Sequence, residues 1–204
     1  MASGRFSRQG RRTFSRVAPF PLPLDVPYAD ACKDVIGQLC HDVEGFHEFI
    51  VDQFGGVPGI RSQDQLEAAI ARPFVSFGLQ SVYSTGIEQA SALAYALVQN
   101  HPFVDGNKRT ALYSCLYFLQ QCGYWRHDLY LTRHESQSLE GLILMIAREG
   151  EDIQKRRILA RYENHDLAVT LDQILAGSRN RQPFSRRLRN GIFRPLLHIF
   201  GSHE

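Results

Sequence analysis

The stretch His101-Pro102-Phe103-Val104-Asp105-Gly106-Asn107-Lys108-Arg109-Thr110 decides how the chain is read. Upstream, residues 87–100 carry Ala90, Leu93, Ala94, Leu97 and Val98 at helical spacing. Downstream, residues 111–121 repeat the pattern with Leu112, Cys115, Leu116 and Leu119. Pro102 fits poorly inside a helix and Gly106 readily takes positive φ, so residues 101–106 are predicted to form a loop between two helices. A base, a carboxylate, an amide, two cations and a glycine thus fall on a short loop running into a helix N-terminus. The unpaired N–H groups and positive dipole end of such a terminus attract anions.

These residue types suit one chemistry in combination. His101 can accept a proton near neutral pH, as a general base acting on a hydroxyl must. Asp105 offers an oxygen to a hard cation such as Mg²⁺, which takes one or two carboxylates plus phosphate oxygens. Gly106 lets backbone approach a phosphate closely, and Asn107 is expected to give an amide donor at the helix entrance. Arg109 can fork onto phosphate oxygens, and Lys108 supplies a point charge. Taken singly, each has a plainer explanation: a structural histidine, an Asp-Gly turn, a solvated basic helix face. In one turn, they are the parts that phosphoryl or nucleotidyl transfer needs. Phe103 and Val104 are expected to anchor the loop in the core.

The rest of the chain sets bounds. Its 204 residues allow one domain with a proper core plus tails, and an apolar fraction of 44% is that of a soluble globule. A net charge of +2 gives no argument for nucleic acid, so no nucleic-acid partner is expected. No apolar run approaches the roughly 18 residues of a membrane span, so no transmembrane segment is expected. Cys32, Cys40, Cys115 and Cys122 form no CxxC pair and lie in helix-like patterns, which points to buried thiols and a cytoplasmic setting. Residues 1–27 hold Arg5, Arg8, Arg11, Arg12 and Arg16, no acid before Asp25, and Pro19, Pro21, Pro23 and Pro27. That composition reads as a disordered basic leader and stiff linker, with a targeting segment of an exported effector as the alternative.

Between leader and motif, residues 28–54 have an amphipathic pattern (Val35, Ile36, Leu39, Val43, Phe46, Phe49, Ile50), with a break expected near Gly45. Gly55-Gly56-Val57-Pro58-Gly59 makes a tight connection, and Ser62 caps a short helix over 63–71 stopped by Pro73. Residues 74–83, rich in aromatic and branched side chains around Gly78, are predicted to form a β-hairpin flap. Beyond the motif, Thr132 and Glu135 suit a capping box for a helix through Ala147, and 153–162 and 166–175 look like further helices. A basic run over 180–194 closes the chain as a loose tail. The fold class is mainly α.

The motif, with every position filled, resembles the signature of the Fic/Doc superfamily, His-x-Phe-x-[Asp/Glu]-[Gly/Ala]-Asn-[Gly/Lys]-Arg. Gly55-Gly56-x-x-Gly59-Ile60-Arg61, Leu66-Glu67-x-Ala69 and Asn100 resemble its death-on-curing (Doc) members. The resemblance implies a helical Fic/Doc (Fido) domain over 28–162, flanked by the 1–27 leader and a 163–204 helical, basic extension. It implies ATP and Mg²⁺ as cofactors and a protein with a hydroxyl acceptor as substrate. It makes His101 the base, Asp105 the metal ligand, and Gly106, Asn107, Lys108 and Arg109 the nucleotide-phosphate cradle. Phe74, Val75, Ser76 and Phe77 fall where the family places a flap that docks the target by strand addition.

Lys108 decides which group moves. Members that transfer AMP usually carry glycine there, whereas Doc toxins carry lysine and are associated with γ-phosphate transfer. Gly106 and Pro102 lean the other way. Lys108 and the Doc-like segments set the reading at a protein kinase toxin, with AMP transfer to a Ser, Thr or Tyr hydroxyl as the alternative. A partner-binding scaffold without chemistry is the third reading. Ser136-x-x-x-Glu140-Gly141 matches the inhibitory-helix pattern of some Fic proteins, whose glutamate pairs with the motif arginine. On an amphipathic helix, however, Glu140 reads first as a solvent-facing residue. Doc toxins are instead restrained by a separate antitoxin, which is the implied partner.

Overall fold

The computed structural model describes residues 32–77, 80–124, 131, 133–148 and 166–176. In order these form α1 (Lys33–Phe54), α2 (Gln63–Ala71), a 3-10 turn (Arg72–Phe74), strands β1 (Ser76–Phe77) and β2 (Gln80–Ser81), then α3 (Gly86–Asn100), α4 (Asn107–Gln121) and α5 (Arg133–Arg148). Residues 166–176 are also helical. The expected leader, the Thr132 cap, the 153–162 helix and the basic tail lie outside the described residues.

The periodicity on either side of the motif produces the two central helices. In α3, Ala90, Leu93, Ala94, Leu97 and Val98 are all buried, and in α4 so are Leu112, Cys115, Leu116 and Leu119. The alanines let α3 lie close against α4. α1 covers α4, while α2 and the 3-10 turn cover α3, and α5 packs on both central helices. Leu167, Leu171, Ile174 and Leu175 join the same core from beyond the expected domain boundary at 162. The four thiols are free, Cys32 and Cys115 buried and the other two half-buried. Burial raises Cys115 to about 12 and Cys32 to about 11. No helix among the described residues is long and apolar enough to cross a membrane.

Local signals set the helix starts. The Ser62 hydroxyl accepts from Gln65 N at 3.4 Å to open α2. Thr85 and Glu88 form a capping box that opens α3, each side chain reaching the other's backbone N–H. The expected break in α1 near Gly45 is absent. Packing on either side offsets the roughly 1 kcal/mol that a helical glycine costs. The Phe46 ring meets Tyr113 at 4.5 Å and Tyr117 at 4.7 Å, and the Tyr117 hydroxyl donates to Asp42 Oδ2 at 3.1 Å.

The predicted hairpin is present. Ser76 pairs with Ser81 and Phe77 with Gln80, and Val82 N donates to Val75 O at 2.9 Å. Of its four expected docking residues, Phe74 faces the core. The 3-10 turn begun at Arg72-Pro73 turns Phe74 inward, leaving it 3% exposed with its ring 6.0 Å from Phe118, whereas Phe77 is 90% exposed. Phe74→Ala should therefore lower stability by about 3–5 kcal/mol. Phe77→Ala should stay within about 0.5 kcal/mol. Urea unfolding of the two variants checks the contrast, and equal midpoints would show that the turn does not seat Phe74.

Candidate active site

Where α3 ends, His101 adopts the left-handed conformation, φ 46° and ψ 53°, the one non-glycine at positive φ among the described residues. Such a conformation costs about 1–3 kcal/mol and persists only when its surroundings over-determine it. Here a second segment supplies the restraint. Pro102 O accepts from Arg61 N at 2.6 Å and Ser62 N at 3.1 Å, Ile60 bridges Phe103, and Val104 N donates to Gly59 O at 3.0 Å. Arg61 Nη2 adds a bond to Val104 O at 3.1 Å. The glycine loop, expected only as a connection, is thus one wall of the site.

Phe103 is the anchor expected, fully buried; Val104 is not, being 42% exposed on the outer side of the loop. Asn107 also departs from expectation. Its side chain is buried, Oδ1 accepting from Phe103 N and Nδ2 donating to Phe103 O, both at 2.9 Å. The amide clamps the loop's own backbone, because a bend this tight leaves Phe103 no ladder partner for those two groups. Of Asn107, the backbone is what faces the helix entrance.

Asp105 is exposed, with Oδ1 accepting from Gly106 N at 2.6 Å. Gly56, at φ 128°, lies against its other oxygen so closely that a Cβ would stand 2.7 Å from Oδ2. Gly106 opens α4 at φ 73° and provides no capping side chain, which leaves an anion-attracting terminus beside that carboxylate. Arg109 Nη1 donates to Gly55 O at 3.0 Å and Phe54 O at 3.5 Å, so its guanidinium braces the carbonyl end of α1 against the start of α4. Lys108 is exposed.

His101 is half-buried. Burial lowers its pKa, and the nearby positive charges of Arg61 and Lys108 lower it further, so the ring is neutral at pH 7. A second histidine lies beneath the loop. His47 is 2% exposed, stacked on Phe103 at 4.0 Å and 11°, with Gly59 N donating to its Nε2 at 3.4 Å. Burial holds its pKa down against the opposing charges of Glu48 and Asp105. Sequence reasoning gave no role to His47, Arg61 or Gly56. The signals were there: a histidine in register with Val43 and Ile50 on the apolar stripe of α1, and a glycine-proline run too rich for a plain connection.

Glu140 is half-buried on α5, but Ile146 is the α5 residue whose carbonyl takes the Gln99 amide near the end of α3. Glu140 is about 9 Å further along the axis. Among the described residues, no three His, Cys, Asp or Glu side chains gather as a metal cluster. A lone exposed carboxylate such as Asp105 still suits Mg²⁺, whose remaining ligands come from phosphate and water.

The helical arrangement with its small hairpin is consistent with the Fic/Doc fold, and comparison with known proteins finds the same likeness. Residues 39–119 match the Fic/DOC family model. A Toxin Doc of Mycolicibacterium smegmatis is 41% identical over 66 residues, which cover 32% of this chain and 51% of that protein. Protein kinase doc of Escherichia phage P1 is 32% identical over 77 residues, 38% of this chain and 60% of the phage protein. The chain thus spans about half the length of the curated relatives it matches. Over the matched segment the chain is similar to the Fic/Doc superfamily, on its Doc-like side.

Proposed function

We propose that the chain transfers the γ-phosphate of ATP to a serine or threonine hydroxyl of a target protein. The geometry that carries this reading is a half-buried His101 on the loop that leads into the N-terminus of α4, which no side chain caps, with the charges of Arg61 and Lys108 near enough to act on the ring. His101 takes the hydroxyl proton on an imidazole nitrogen as the acceptor oxygen bonds to the γ-phosphorus. The bond from that phosphorus to the bridging oxygen breaks, and ADP leaves with the electron pair. Lys108, Arg61 and the first N–H groups of α4 meet the negative charge that develops. Asp105 would hold Mg²⁺, which when bound supplies further neutralisation of phosphate charge. The name of the phage relative, Protein kinase doc, supports this choice.

Gly106 favours a second reading. AMP transfer, in which the hydroxyl attacks the α-phosphorus and pyrophosphate leaves, prefers glycine at that place, and Gly106 stands at a φ of 73° that disfavours any side chain. The Toxin Doc relative supports an antitoxin protein as the restraining partner. An inhibitory Glu140 receives no such support, since Arg109 is engaged at the end of α1. Incubation with cell extract and ATP labelled at either phosphorus separates the two transfers. Protein-bound γ-label with no α-label is the expected result; α-label alone establishes AMP transfer, and neither label overturns both.

A further inference from the structure

His47 does something an apolar residue at its place could not. Its ring is sandwiched deep in the fold against Phe103, a position that a phenylalanine would fill without burying polar atoms. Nε2 accepts from Gly59 N–H, so the proton of the neutral imidazole sits on Nδ1. Nδ1 is buried and, among the described residues, has no hydrogen-bond partner, and its edge of the ring faces Gly106: a Cβ there would stand 3.6 Å away. A buried donor without an acceptor destabilises a fold. Departures of this kind from the locally best choice concentrate at functional sites.

The bond on the other edge says what is gained. Gly59 accepts from Val104 through its carbonyl while donating to His47 through its N–H. Two and three residues on, Arg61 and Ser62 both donate to Pro102 O. The segment His47 holds is therefore the one that pairs with 102–104, the residues separating His101 from Asp105.

We infer that His47 is a positioning residue for this site, acting as its Nδ1–H tautomer to hold the glycine loop and the motif turn in register, so that His101, Asp105 and the start of α4 keep their separations. The stack on Phe103 seats the ring, and the Gly59 bond transmits its position to the loop. The kinetic part of this inference rests on the proposed transfer reaction; the structural part does not.

The test uses the full chain. His47→Phe keeps the stack and deletes both nitrogens. It should fold, with an unfolding midpoint no lower than that of the parent. Turnover should fall about 10- to 100-fold with KM for ATP unchanged, as expected when reacting groups are misplaced rather than binding lost. His47→Gln, whose side-chain carbonyl can reach the Gly59 N–H, should recover most of the turnover. Hydrogen exchange at the Gly59 and Val104 amides should quicken in His47→Phe and not in His47→Gln. Nitrogen-15 spectra of the parent should show the Nδ1–H tautomer. Parental turnover and amide protection in His47→Phe overturn the inference and leave the proposed function standing. A glutamine variant no better than the phenylalanine, or an Nε2–H tautomer, overturns it too. A parent that transfers nothing from ATP defeats the proposed function instead, and exchange and tautomer still decide the role of His47.

Discussion

His101→Ala is expected to cut transfer from ATP by about 10²–10⁴-fold while the fold stands. The side chain is half-buried and sits outside the core, so its removal opens no large cavity. The pH dependence should carry its signature. A base must be neutral, and burial, with Arg61 and Lys108 adding to it, keeps the pKa of His101 below the ordinary 6.5. Transfer should therefore rise with pH, with the midpoint of the rising limb below that value. Removing one positive charge allows the pKa to climb, so Lys108→Met should displace the rising limb to higher pH, whatever it does to the plateau. Stability has the same sign. A histidine whose folded pKa is depressed binds its proton more readily when unfolded. Its contribution is whole above the unfolded pKa and is lost as pH falls through 6.5 toward the folded value, for His101 and His47 alike. Label incorporation between pH 5 and 8, with thermal unfolding in parallel, checks these outcomes. Parental turnover in His101→Ala would remove the general base from the proposal. Growth arrest on expression that survives the substitution would favour a scaffold that binds without chemistry.

What the sequence shows of this site is its local half. Pro102 and Gly106 bound the loop, the apolar spacing on either side builds α3 and α4, and Ser62 and Pro73 delimit α2, because each signal acts within a few residues. Hairpin and helix class are legible for the same reason. The wall facing the motif is not. Arg61 reaches Val104 across 43 positions, and Arg109 reaches Gly55 across 54. No periodicity encodes such pairings, and a glycine-rich run reads as a connection until something packs on it. Phe74 and Val104 fail for a different reason. Apolar character predicts burial on average, and the tight bend turns Val104 outward against it; Phe74, given its docking role in the flap by resemblance, is turned into the core by the 3-10 turn. Asn107 failed in the same way: its type allowed an outward donor, and the bend required an inward clamp.

That clamp supports the second large effect. Asn107→Ala should lower stability by about 3–5 kcal/mol, since it strands a buried N–H and a buried carbonyl of Phe103, each costing about 1–3 kcal/mol unpaired. Against the 5–15 kcal/mol typical of a domain, the loss is large. Asn107→Asp should be no milder: one oxygen still accepts from Phe103 N, but the other faces the Phe103 carbonyl with a charge where a donor stood. Function should fall further than stability alone explains. With Phe103 unpinned, the base on one side of it and the carboxylate on the other lose their common frame, and misplacement of about 1 Å can cost 10²-fold in rate. Transfer measured in the cold, where the variant remains folded, separates this loss from unfolding. If the amide instead contacted phosphate directly, the ranking would invert, with the urea midpoint unchanged and nucleotide binding weakened. An unchanged midpoint in Asn107→Ala would therefore move the residue from the frame of the site to its ligand contacts.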